Sequence, residues 1–194
     1  MPKRPITERY TSVAVALHWL VAIGIIYNLW KGIGFDALDA AHSPLLRPGV
    51  DLHKSIGITI IGLVVLRILW KIGHPVPAPM PSLKPWERIL SVGVHHLLYL
   101  LMVLVPLAGW LHDSAWKAAA SHPLVLYGRV PWFRIPLFGG LTDAGKDWWH
   151  DKLGALHTFA AYALIGALVL HIAGALKHQF LDGQPQFRRM WFGK

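Results

Sequence analysis

Twelve histidines stand in a chain of 194 residues that contains no cysteine. Without cysteine there are no disulfides, thiolate metal sites or thiolate-held iron–sulfur clusters, so imidazole is the strongest transition-metal ligand on offer. Four of the histidines, His18, His53, His157 and His171, fall within long apolar runs. An ionisable group inside a membrane span is costly and points to a function with a named partner. His157 and His171 are the most informative, because 14 residues of helix rise about 21 Å through almost four turns and end about 40° off the starting face. One helix face thus carries an imidazole near each membrane surface. His18 matches His171 in depth, and His53, on a helix running the opposite way, matches His157. Two bis-imidazole sites stacked across a bilayer suit two b-type haems, because cofactors of helix bundles sit between facing helices.

Small residues beside the four histidines leave room for a flat macrocycle: Ala14 and Ala22 around His18, Gly57 after His53, Gly154 and Ala161 around His157, Ala167 and Gly174 around His171. His95 and His96 are adjacent on one helix, so one is expected to face the bundle, where it would serve a quinone head group or a haem propionate, and the other the interface. Arg67 and Arg9 at one haem level and Lys54 at the other are candidate propionate partners, since cations there meet a carboxylate. Arg67 is also expected to snorkel outward from its span. His42, His74, His112, His122, His150 and His178 are expected in loops or at helix ends, solvated. No nucleophile or proton-abstracting base has a persuasive partner, so no catalytic residue is assigned.

The elements that must hold these residues follow from composition. Hydrophobic residues make up 54% and charged residues 15%, with a mean hydropathy of +0.42, against about 25% charged residues in soluble domains. Four apolar segments, at about 12–32, 52–72, 87–111 and 152–178, are long enough to cross a bilayer, which takes roughly 20 residues. The expected fold is all-α: one domain, 1–194, an integral membrane four-helix bundle, antiparallel, with a long outer loop between helices three and four. The first segment reads as a retained signal-anchor. The formal charge of +9 comes from Lys and Arg at the ends of apolar runs, where topology determinants sit, and nucleic-acid binding is not expected. Eleven of the nineteen Lys and Arg fall at the N-terminus, the second connection and the C-terminus, which places both termini in the cytoplasm. The second connection, with Pro75, Pro77, Pro79, Pro81 and Pro85, reads as an extended polyproline strap. The loop from His112 to Lys152 is expected to fold over the outer mouth, with Arg129 and Arg134 shaping an approach.

Four stretches in order, YTSVAVALHWLV (10–21), LHKSIGITIIGLVVLRILWKIG (52–73), HHLLYLLMVLVPLAG (95–109) and LHTFAAYALIGALVLHIAGALK (156–177), resemble the bacterial cytochrome b561 group of di-haem membrane proteins. The resemblance covers almost the whole chain, the Pro-rich strap and Pro131 to Phe133 included. It implies haem ligands at His18, His53, His157 and His171. It further implies a place in the bacterial inner membrane and single-electron transfer between periplasmic donors and ubiquinone or another quinone, with superoxide as the donor in members similar to superoxide oxidases. The long third–fourth loop departs from shorter members and bears on the outer partner. Two other readings use the same histidines: a haem-bearing membrane anchor subunit of a dehydrogenase or hydrogenase, and a haem-free metal-ion carrier.

Overall fold

In a computed structural model, residues 9–74, 77 and 83–192 are described. Four long helices dominate: α1 (Ser12–Ile33), α3 (Leu46–Gly73), α4 (Pro85–Ala115) and α5 (Asp143–Leu176), with α2 (Phe35–Ala40) in the first connection and α6 (Gln186–Arg189) near the C-terminus. Their starts follow local chemistry. The Thr11 hydroxyl accepts from the Ala14 N–H and the Thr142 hydroxyl from the Gly145 N–H, each capping an orphan donor. Pro85, with its fixed φ and missing N–H, opens α4, and Glu87 reaches back to the Lys84 N–H at 3.0 Å. α5 continues into a π-helical turn, Lys177–Leu181.

Each long helix contains an apolar window of mean hydropathy 1.8 to 2.0, yet only 11% to 22% of each window is buried inside the protein. Leu20, Ile23, Leu100, Phe159 and Val169 are among the large apolar side chains left uncovered. Water would tolerate no such surface at this scale, whereas hydrocarbon supplies it with an apolar solvent. The protein is an all-α membrane bundle.

The packing order positions the site. α1 lies on α3, α3 on α4, and α4 most extensively on α5, while α5 makes no more than marginal backbone contact with α1 or α3. The buried centre includes Val21, Ile60, Val64, Leu101, Leu164 and Ala167. One seam of the bundle, facing α5, is therefore not closed by helix-on-helix packing.

The connection between α4 and α5, outer in the expected orientation, is folded. With α4 running to Ala115 and α5 starting at Asp143, it occupies residues 116–142 and contains an antiparallel hairpin, β1 (Val125–Leu126) and β2 (Val130–Pro131). Tyr127 and Gly128 have φ of 52° and 66°, as a type I′ turn requires, and Arg129 N–H closes it on the Leu126 carbonyl. Left-handed backbone is unusual for Tyr. Here the Tyr127 N–H donates to Ser55 Oγ at 2.9 Å and its hydroxyl lies 2.6 Å from Thr59 Oγ1, so α3 holds the turn. The polyproline strap falls mostly outside the described residues.

Two candidate metal centres

The unclosed seam is where the histidine pairs lie. At the level that is outer in the expected orientation, His53 of α3 and His157 of α5 have ring centroids 6.0 Å apart, and at the opposite level, inner in that orientation, His18 of α1 and His171 of α5 are 6.3 Å apart. A metal–imidazole bond is about 2.0–2.1 Å, so two rings facing one metal ion from opposite sides have centres about 6 Å apart. Both pairs have that spacing, and both bridge helices whose backbones leave space between them.

At the outer centre His157 Nδ1 lies 2.8 Å from the Val105 carbonyl. A carbonyl only accepts, so Nδ1 carries the proton and the Nε2 lone pair is free, the tautomer of a metal ligand oriented by its other nitrogen. The contact exists because residue 109 is glycine: a Cβ there would stand 3.0 Å from His157 Cε1 and Nδ1. His53 packs edge-on against Phe35 with centroids 5.3 Å apart, and its ring lies over Gly32, four residues beyond Asn28 on α1. Asn28, buried on α1, donates from Nδ2 to the His53 carbonyl at 3.0 Å.

The inner centre is built differently. Arg67 does not snorkel outward as expected. It turns inward, with Nη2 3.0 Å from His18 Nδ1 and Nε 3.1 Å from the Tyr99 hydroxyl. Arg67 has acceptors on α1 and α4 at the same depth, and bonding them satisfies two of its donors inside the bundle. A guanidinium only donates, so His18 Nδ1 accepts here and its neutral ring holds the proton on Nε2. Ligation through Nε2 therefore requires Arg67 to release Nδ1. Arg67 Nη1 is buried and unpartnered, a donor suited to an anion such as a carboxylate. The His95 ring meets His171 edge-on at 5.1 Å, with its Nδ1 on the Ser91 carbonyl. His96 bonds its own helix at Val92 and is exposed, away from the pair. Spacing and seam fit a flat metal cofactor at each level, and the unpartnered Nη1 of Arg67 fits a carboxylate on the one at the His18–His171 level, with the one adjustment at Arg67.

Of the other expected site residues, Lys54 is in an ion pair. Its Nζ is 2.6 Å from Asp113 Oδ1, and Arg134 Nε is 2.8 Å from Oδ2 of the same carboxylate. Arg9 lies just ahead of α1, beside Tyr10, whose N–H bonds the Arg189 carbonyl. Burial raises the Tyr10 hydroxyl above its ordinary range, against the opposing effect of Arg189 and Arg67.

Several residues carry roles the sequence did not announce. His112 and His150, expected to be solvated, are half-buried and stacked 3.7 Å apart. Each Nδ1 donates to the other's carbonyl, at 2.8 and 2.9 Å, because α4 and α5 run close enough for reciprocal bonding. At the inner end Glu87, His178 and Asp182 bring ligand atoms within 4.8 Å of one another. The Lys177 ammonium sits among them, 2.8 Å from Glu87 and 2.7 Å from Asp182, so this cluster is an ion-pair network and not a metal site. Lys177 and His178 hydrogen-bond the Asp182 carboxyl and hold it below the usual carboxylate range.

Comparison with known proteins agrees with this architecture. The family described as prokaryotic cytochrome b561 matches residues 9–193. Cytochrome b561 homolog 2 of Escherichia coli (strain K12) is 35% identical over 184 residues, 94% of this chain and 91% of that protein. A Yersinia pestis protein named "Probable superoxide oxidase CybB" is 25% identical over 94% of this chain and 96% of its own length. Cytochrome b562 of Cereibacter sphaeroides is 32% identical over 59% of this chain and 74% of its own. The chain belongs to the prokaryotic cytochrome b561 family and is a bacterial membrane electron-transfer protein, of a family whose members bind b-type haem.

Proposed function

We propose that the chain holds two b-type haems, one between His53 and His157 and one between His18 and His171, and exchanges electrons between an outer-side donor and the quinone pool. The observation that carries this reading is the pair of imidazole couples at coordination spacing along a seam that no helix packing closes. Haem supplies reversible one-electron chemistry when bound; the protein sets its potential through ligands, burial and nearby charge.

The two levels suit different tasks. The outer histidine His157 is tied to a main-chain carbonyl, which neither gains nor loses a proton, and this favours plain electron transfer. The inner centre is surrounded by Arg67, Tyr99 and an exposed His95. A quinone takes up protons as it is reduced, so its head group belongs at that level, where His95 is open to lipid. Arg67, with its unpartnered Nη1, is the first candidate for a propionate. Lys54 is committed to Asp113, which favours a role in the electrostatics of the outer approach over direct propionate contact. Arg9 remains a candidate at the inner surface.

For the donor, the relative named as a superoxide oxidase favours superoxide. In this arrangement the chain sits in the bacterial inner membrane with both termini cytoplasmic. The test is a visible spectrum of detergent-purified protein, oxidised and dithionite-reduced, with haem quantified per chain. Two low-spin b-type haems are expected, and one is lost in each of His157→Ala and His171→Ala. Absence of haem, or full haem content in both variants, would overturn the proposal.

A further inference from the structure

At the inner end of the bundle, side chains tie neighbouring helices together. Trp70 Nε1 near the end of α3 donates to Thr11 Oγ1, just ahead of α1, at 2.8 Å. Arg67 of α3 donates to the Tyr99 hydroxyl of α4, and Lys177, where α5 ends, bonds Glu87 of α4. That leaves the junction between α5 and α1, whose backbones make no more than marginal contact. It is the junction across which His171 faces His18.

The chain itself spans this gap. Beyond α5 the Asp182 carboxylate accepts from Lys177 Nζ at 2.7 Å and lies 2.6 Å from His178 Nδ1. Gly183 then turns the chain with φ of 64°, a left-handed conformation glycine adopts without penalty. The Gln184 N–H bonds the His178 carbonyl, and the Phe187 N–H bonds Gln179 Oε1. From this root α6 carries the chain to α1. There the Tyr10 N–H donates to the Arg189 carbonyl at 3.3 Å, and the Trp19 indole N–H donates to the Met190 carbonyl at 2.8 Å. The Trp191 ring meets Trp19 edge-on with centroids 5.9 Å apart, and Trp19 meets His18 edge-on at 5.3 Å. His18 lies six residues into α1 and His171 five residues before the end of α5, about 8–9 Å along each axis. The crossing therefore runs just beyond the pair, on the side of the helix ends.

Trp19 has a reason to make this bond. A half-buried indole needs an acceptor for its N–H, and two turns into a span the hydrocarbon offers none. Exposed Phe187, Arg188 and Trp191 suit the interfacial layer on the other side of the crossing.

We infer that residues 183–191 are a strap that closes the inner end of the seam, and that Trp19 is the positioning residue that seats it and so keeps water from the His18–His171 level. This rests on the reading of that pair as ligands. The strap leaves the length of the seam open and shuts only the end that faces water. Water at a metal centre solvates the more highly charged, oxidised state best and lowers its potential, so a seated strap holds the potential of this centre up.

The test pairs limited trypsin digestion with redox titration of the purified full-length protein, with haem quantified in each sample. Trp19→Phe removes the indole donor and keeps a ring beside His18. Gly183→Val disturbs the strap at its root, away from α1, because a β-branched side chain disfavours that φ. Both should speed cleavage after Arg188 or Arg189, Trp19→Phe by about fivefold for the loss of one ordinary hydrogen bond. Both should also lower the midpoint of the haem that survives in His157→Ala and leave unmoved that of the haem that survives in His171→Ala. A variant that binds a single haem supports the inference if that haem has the midpoint seen in His171→Ala, and overturns it otherwise. Faster cleavage with unaltered midpoints, a lower midpoint without faster cleavage, or no change in either also overturns it. Wild-type protein without haem, or His171→Ala with both haems, would instead sink the proposed function, and the cleavage rates would still report whether Trp19 seats the strap.

Discussion

A methyl group at position 109 would stand 3.0 Å from two atoms of the His157 ring, and so would one at position 154 from the His112 ring. The two substitutions are sterically alike, yet only the first touches a proposed ligand. Gly109→Ala is expected to reduce haem content from two per chain to about one, while Gly154→Ala keeps two, as measured by a haemochrome assay on purified protein. The histidine pairs themselves were legible, because 14 residues on one helix fix both depth and face. Their seats were not. Gly109 sits in an ordinary small-residue context, and nothing local says that a ring from another helix will lie on it. The inward turn of Arg67 was hidden for a similar reason: a cation near a span end reads as snorkelling until Tyr99 and His18 are seen beside it.

Between elements, the outer connection is tied to the bundle by one carboxylate. Asp113, 6% exposed at the end of α4, bonds Lys54 of α3 and Arg134 of the loop, and Arg134 Nη1 also donates to the Ala119 and His122 carbonyls. Removing one member of a buried ion pair costs about 3–5 kcal/mol, because the partners are left charged and unpaired. Asp113→Ala should therefore loosen residues 116–142 before the spans melt, and limited trypsin digestion should cut at Arg129 or Arg134 in the variant under conditions that spare the wild type. The loop's length was plain in the sequence, and its hairpin was not. Tyr-Gly is a poor signature for a type I′ turn, which prefers Asn-Gly or Asp-Gly. The turn forms because Ser55 and Thr59 on a distant helix bond to Tyr127, information that no window of loop sequence contains. His112 and His150 were read as solvated on the same local basis, and the meeting of two helices makes them a buried pair.

Across the whole molecule the fold was the easiest part to read, because four hydrophobic stretches of span length leave few alternatives in a chain with 15% charged residues. Orientation rests on Lys and Arg in the flanks, and the absence of cysteine makes it simple to measure. A cysteine at Leu137, 69% exposed in the outer connection, should react with a membrane-impermeant maleimide in intact cells. A cysteine at exposed Arg188 should react only after permeabilisation. The reverse pattern would invert the topology and place the inner centre, with His95 and Arg67, on the periplasmic side.

The unclosed seam has a consequence for how much of this protein a cell contains. Three of the four helix junctions are made by side chains, and on the present reading the fourth is completed by something the ribosome does not supply. A ligand that binds only the native state adds about 2.7 kcal/mol when present at a hundred times its dissociation constant. A chain newly inserted in the membrane lacks that contribution and shows quality-control proteases a bundle with one side ajar. Steady-state abundance should then follow the supply of haem, so that the cell's iron economy governs this electron path through the lifetime of the protein as well as through its chemistry.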